Sequence, residues 1–150
     1  MKEDIFDRIM RLPVLNILEP FYKKNKEMLL YLFFGGLTFA VSVVTYGFFN
    51  LCLGINELIA NIISWIIAVT FAFFTNRIWV FSAPTNGVKE FILQMLSFFG
   101  GRIVTLVIEE VLLFVFITWL GFPSMVIKVI AQIVVIILNY IISKLVIFKK

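Results

Sequence analysis

Residues 28–53 and 58–76 of this chain each run the length of a bilayer crossing without one Asp, Glu, Lys or Arg. A helix that spans the hydrocarbon core needs about 20 predominantly apolar residues, and two such runs lie far outside the balance of a water-soluble domain. Two further stretches are as apolar but interrupted by charge: residues 95–120 hold Arg102, Glu109 and Glu110, and residues 125–143 hold Lys128. The pattern predicts an all-α membrane protein with four transmembrane helices. Composition agrees, with 62% hydrophobic and 15% charged residues and a mean hydropathy of +1.07. A strand-built barrel is disfavoured because the apolar residues run continuously instead of alternating, and an open sheet in lipid would leave backbone groups unpaired.

Residues 1–27 form an expected cytoplasmic N-terminal segment, and residues 28–150 the four-span membrane domain. The segment mixes Lys2, Arg8 and Arg11 with Glu3, Asp4 and Asp7 and lacks an apolar core before a small-residue site, so no cleaved signal peptide is expected. Ile5, Phe6, Ile9 and Leu12 recur at helical spacing up to Pro13, which suits a short helix lying in the membrane interface; a partly ordered leader is the alternative. The single Cys52 excludes an intrachain disulfide. Lys23, Lys24 and Lys26 precede the first span, Arg77 and Lys89 lie between the second and third, and Lys149 and Lys150 end the chain, whereas the short loops at Gly54 and Gly121 carry no cation. By the positive-inside rule the termini and the central connection are cytoplasmic, in a multi-pass protein of the plasma membrane. The net charge of +4 then reflects anchoring against anionic head groups. The cations are dispersed around membrane ends rather than gathered in a stripe, so nucleic acid is not an expected partner.

The sequence repeats itself. FFGG occurs at residues 33–36 and again at 98–101, Leu53-Gly54 matches Leu120-Gly121, and NRIWVF at 76–81 matches SKLVIF at 143–148. Glycine pairs often only let helices approach closely, and an aromatic residue beside a cation is ordinary interfacial anchoring. Three matches in one order are better explained by two parallel helical-hairpin repeats, about residues 28–81 and 93–148, related by an axis along the membrane normal.

Charge distinguishes the second half. An ionisable group in a bilayer costs roughly 2.5–3.5 kcal/mol on insertion scales, so its default reading is functional or paired. Arg102 and Glu109 are seven residues apart and share a helical face with Thr105; Lys128, Gln132 and Asn139 share a face of the fourth span. One reading is that Arg102 and Lys128 neutralise Glu109 and Glu110 while the polar stripe joins the helices. The other is that cations at two depths bind the phosphate of an amphiphilic substrate, Arg102 through its planar fork and Lys128 as a point charge.

FFGG in a first span, Asn-Arg-x-Trp-Val-Phe at 76–81, Phe-x-x-Gly-Arg at 98–102 and a fourth span holding Lys128 and Asn139 together resemble the GtrA-like family of small four-span membrane proteins. The likeness covers residues 29–148, with SKLVIF a diluted second copy of the motif. It implies translocation of a polyprenyl-phosphate-linked sugar for cell-surface polysaccharide or teichoic acid glycosylation. A similar module is attached to polyprenyl-phosphate sugar synthases, which makes an accessory subunit anchoring or organising a membrane glycosyltransferase the alternative. The resemblance implies contact roles for Asn76, Arg77, Val80, Phe81, Phe98, Arg102, Lys128 and Asn139; the charge pattern adds Glu109 and Gln132.

An enzyme is not expected. Sugar transfer generally needs a polar domain with metal-holding carboxylates, and the longest connection between spans is the stretch 77–94. There is no His, the lone Cys lacks an evident base, and neighbouring helical residues such as Glu109 and Glu110 point about 100° apart. No cofactor or metal is called for. A small multidrug exporter would use a membrane carboxylate on cationic substrates, whereas Arg102 and Lys128 favour an anion. One four-helix chain is small for enclosing a lipid head group, which leaves room for a homo-oligomer.

Overall fold

The structure is a computed structural model that describes residues 3–149, the side chains of residues 57, 58, 124, 125 and 128 lying outside the description. The described residues form five α-helices: α1 (Ile5–Met10), α2 (Glu19–Gly47), α3 (Glu57–Thr75), α4 (Val88–Leu113) and α5 (Ser124–Ile142). The last four each run on into a wider π-helical turn, Phe48–Cys52, Asn76–Val80, Phe114–Trp119 and Ser143–Ile147 respectively. Among the described residues, Asn16–Cys52, Ile59–Val80 and Val129–Ile147 are long and apolar enough to cross a membrane. The protein is therefore an all-α, multi-pass membrane bundle. The helix α4, which carries Arg102, Glu109 and Glu110, is not among those three.

Burial differs from that of a soluble protein in that small polar residues share the interior with Phe73, Phe98 and Phe148 while many aliphatic side chains face outward. Ser64, Thr105 and Ser143 are fully enclosed, while Leu32, Ile62, Val104 and Ile133 are about half exposed. In lipid this distribution is expected, since small and polar residues bring helices together and aliphatic ones face the hydrocarbon. Some inner hydroxyls are satisfied within their own helices: Ser64 Oγ donates to the Asn61 carbonyl at 2.9 Å and Thr75 Oγ1 to the Phe71 carbonyl at 3.0 Å.

The helices pair as two antiparallel hairpins. Residues ascending α2 meet residues descending from α3: Tyr31 faces Phe81, Phe34 stacks on Trp79 at 5.4 Å, and Asn50 Nδ2 donates to the Ile55 carbonyl at 3.0 Å. Likewise Gly101 lies against Ile142, Thr105 bonds Asn139 and Glu109 bonds Gln132 along α4 and α5. Gly101 sets the closeness of that second pair, since a Cβ there would come within 3.1 Å of Ile142 Cγ2. Both hairpins turn alike. Gly54 and Gly121 adopt φ of +66° and +70°, and the flanking bonds correspond, Leu53 N–H to Phe48 O at 3.2 Å and Leu120 N–H to Val115 O at 3.0 Å. The far ends correspond too, with Phe81 N–H donating to Asn76 O at 2.9 Å and Phe148 N–H to Ser143 O at 2.8 Å. The two terminal phenylalanines stack on each other, 5.3 Å apart and inclined by 14°, above Phe73 and Phe98.

Two features differ from the expectations. The connection between hairpins is only residues 81–87, not the whole stretch 77–94, because helical hydrogen bonding continues past the apolar runs and spares backbone groups in the interface. Arg77 pins this connection by donating to Gln94 Oε1 at 3.0 Å and Thr85 Oγ1 at 2.9 Å. The N-terminal segment, in turn, is docked on the bundle. Asp4 caps α1 reciprocally with Asp7, Lys26 Nζ lies 2.7 Å from Asp4 Oδ2 and 2.8 Å from Asp7 Oδ2, and Phe6 meets Phe33 and Phe34 edge-on. Non-helical backbone at Asn25 kinks α2, and the Asn25 amide satisfies the Phe21 carbonyl at 3.1 Å. Ile5, Ile9, Leu12, Ile17 and Phe21 remain exposed, as a segment in contact with an interface would require.

Candidate functional site

The expected polar face on α4 is present: Phe98, Thr105 and Glu109 are buried and Arg102 half-buried, at helical spacings of four, three and four residues. Phe98 is enclosed beneath the guanidinium, whose central carbon lies 4.6 Å from the ring centroid. Opposite, Thr105 Oγ1 donates to Asn139 Oδ1 at 2.8 Å, and Gln132 Nε2 donates to Glu109 Oε1 at 2.7 Å. Two residues of each expected face thus close on one another. Lys128 belongs to α5, but its side chain lies outside the described residues.

Arg102 does not reach Glu109. Its side-chain hydrogen bond runs to Tyr31 Oη, at a long 3.4 Å, and among the described residues no carboxylate forms an ion pair with it. A guanidinium with five donors is therefore committed at one only weakly.

Beside it lies a cavity of about 500 Å³, within the range of small-ligand sites. Tyr31, Thr38, Ser42, Asn76, Arg102, Gln132 and Asn139 contribute its polar lining, and Arg102 is the one charged residue among the described lining. Asn76 is buried; its Nδ2 donates to the Ala72 carbonyl at 2.7 Å, yet its Oδ1 has no hydrogen-bond partner among the described residues. A buried amide oxygen left so is costly in a bundle, and a donor entering the cavity would satisfy it. Gly35 and Gly36 of the first FFGG line the same cavity with nothing within 4 Å of a would-be Cβ, so the absent side chains leave the space open. The second FFGG instead brings α4 onto α5.

Other expected site residues sit elsewhere. Phe81 is buried among Tyr31, Tyr140 and Phe148, Arg77 holds the 81–87 connection, and Val80 lines a second cavity at the end of the bundle where the N-terminal segment docks. Sequence reasoning missed Tyr31, the acceptor for Arg102, and Tyr140, which packs edge-on against it at 5.2 Å. The available signal was a hydroxyl-bearing aromatic in the first and the last apolar runs, where a buried Tyr hydroxyl usually seeks a partner. Among the described residues, no group of three or more His, Cys, Asp or Glu could hold a metal ion.

These features define a small, all-helical multi-pass membrane protein with a largely apolar cavity between its helices that carries one cation and three amide side chains. The chain belongs to the GtrA/DPMS transmembrane-domain family, which matches residues 30–148. It is 36% identical to the cell wall teichoic acid glycosylation protein GtcA of Listeria innocua over 131 residues, 87% of this chain and 90% of that protein. The GtcA of Listeria monocytogenes is 34% identical over 82% of this chain and 85% of its own length. The uncharacterized membrane protein YwcD of Bacillus subtilis is 24% identical over 81% and 95% respectively.

Proposed function

We propose that this protein moves a polyprenyl-phosphate-linked sugar across the membrane for glycosylation of a cell-surface polymer, teichoic acid among the candidates. The observation that carries the reading is Arg102: a cation without a carboxylate partner among the described residues, lining a cavity with Asn139 and the unsatisfied Asn76. An anion in that cavity would gain a planar, bidentate donor, and its sugar would meet amide groups. Lys128, by its place on α5, supplies the second cation; Glu109 and Gln132 orient the wall between them. Phe98 and Phe81 support the site from beneath, while Arg77 and Val80 act at the cytoplasmic edge. The names of the Listeria relatives place them in teichoic acid glycosylation, which supports the substrate class. The chemistry asked of the chain is binding and reorientation, not bond making.

The topology proposed for it has four spans, with α4 crossing alongside α5, both termini and the 81–87 connection cytoplasmic, and two parallel repeats. Antiparallel contact from Gly101 to Glu109 supports the fourth crossing, and the matching turns and stacked Phe81 and Phe148 support the repeat. The accessory reading, an anchor for a membrane glycosyltransferase, draws on the DPMS half of the family description.

Reconstitution separates the two. The purified protein in vesicles, given a labelled polyprenyl-phosphate sugar, should speed its transfer between leaflets, and Arg102→Leu should abolish that. Transfer that appears only after a glycosyltransferase is co-reconstituted would support the accessory role instead.

A further inference from the structure

The cavity at Arg102 is not the only one. A second, of about 540 Å³, lies beside the docked N-terminal segment, with Lys24, Glu27, Trp79, Tyr140 and Lys144 in its lining. Tyr140 faces this terminal cavity, whereas its neighbour Asn139 and the ring against it, Tyr31, face the central one. The Tyr31 and Tyr140 rings, edge-on at 5.2 Å and backed by Phe81 at 6.4 and 6.1 Å, thus stand between the two spaces.

Tyr140 is held from the terminal side. Its hydroxyl donates to Glu27 Oε1 at 2.7 Å, and Lys144 Nζ lies 2.9 Å from the same oxygen and 3.4 Å from the hydroxyl. Glu27 stands on α2, while Tyr140 and Lys144 stand on α5 and the turn that follows it. Because α2 packs chiefly on α3 and α5 chiefly on α4, this cluster bridges two hairpins that each hold together without it. Breaking it would remove the polar tie on this side of the Tyr31–Tyr140 pair, leaving each hairpin intact and the Phe81–Phe148 stack between them. Both ionic side chains are more than a third exposed, so the link is the weak, screened kind that a moving part can break repeatedly. On the other side, Tyr31 Oη touches Arg102, so a shift of the partition is felt at the cation in the central cavity.

We propose that Glu27, Tyr140 and Lys144 form the latch of a gate, its leaf the Tyr31–Tyr140 pair, which closes the central cavity from the end bearing the N-terminal segment. The inference rests on the carrier reading, for which the gate admits a phosphate-bearing head group. Its test does not. Ser42 lines the central cavity; with the exposed Cys52 replaced by Ser, Ser42→Cys supplies one thiol. In vesicles free of lipid-linked sugar, a small charged thiol reagent is added to the face that carries an N-terminal tag.

Glu27→Gln and Tyr140→Phe should each raise the labelling rate about tenfold, the population shift expected from losing a charge-assisted hydrogen bond. Lys24→Ala, in the same cavity but outside the latch, should not. The exchange Glu27→Lys with Lys144→Glu should restore slow labelling, which a merely unfolded variant could not do. Unchanged labelling in both single variants, equal acceleration by Lys24→Ala, or fast labelling in the exchanged pair would each overturn the gate. Failure of lipid transfer with the labelling pattern intact would count against the carrier reading alone.

Discussion

Arg102 follows the second FFGG where Leu37 follows the first, and its environment bears on two accounts of that substitution. If it served to neutralise Glu109 it would pair with it; instead it rests on Phe98 and reaches Tyr31, while Glu109 accepts from Gln132. On the proposed function, Arg102→Leu should abolish glycosylation in cells with normal membrane insertion, and Arg102→Lys should reduce it by losing the bidentate fork. The double change Arg102→Leu with Glu109→Gln should stay inactive; recovery would reinstate the neutralising role, because removing both members of a buried pair is often tolerated. Gly35 provides a steric counterpart. It lines the cavity and an added Cβ would meet nothing within 4 Å, so, if this space is the path, Gly35→Leu should leave thermal stability in detergent nearly unchanged and still block transfer. A leucine variant that transfers at the normal rate would mean this space is not the path.

Helix ends carry the next set of consequences. Gly54 and Gly121 hold left-handed backbone at the two hairpin turns, where an L side chain costs roughly 1–2 kcal/mol, so Gly54→Ala and Gly121→Ala should each lower the unfolding midpoint and by similar amounts. At α1, burial raises the Asp7 carboxyl pKa, but hydrogen bonds from Lys26 and from the Asp4 backbone outweigh it and hold the pKa below the ordinary 3.8. A depressed folded value contributes stability that is fully present above the unfolded pKa and is lost as pH falls through the folded one. Hydrogen exchange of residues 5–10, corrected for intrinsic rates, should therefore show steady protection above pH 3.8 that falls only below it. Asp7→Asn should remove that dependence and loosen α1 at neutral pH. Protection indifferent to both pH and Asp7→Asn would show that Phe6 packing alone docks the segment.

For the whole molecule, the proposed duplication is a statement about symmetry. Phe81 and Phe148 end the two segments matched in sequence and stack face to face, as a duplication would have residues close to a two-fold axis do. An experimental structure should superpose residues 28–81 on 93–148 by rotation about the membrane normal; hairpins that cannot be overlaid would remove the duplication. Tags at Met1 and Lys150 should both be cytoplasmic, and Asn56→Cys, in a chain whose Cys52 is replaced by Ser, should react with an impermeant reagent from outside. An inward-facing residue 56 would invert the orientation.

Uncharged runs at 28–53 and 58–76 and the helical spacing that groups Arg102, Thr105 and Glu109, or Gln132 and Asn139, were legible in the chain, because helix period and bilayer thickness act locally on sequence. Pairing between helices was not. Seven residues along α4 place Arg102 and Glu109 on one face about 10 Å apart, but whether they meet each other or a third group depends on what packs opposite. Tertiary structure decided that α5 supplies Gln132 to Glu109 and Asn139 to Thr105, that α2 supplies Tyr31 to Arg102, and that the two copies of FFGG have different surroundings. Gly35 and Gly36 keep a cavity open where Gly101 closes a helix contact, since an absent side chain becomes space or contact only by what stands across from it.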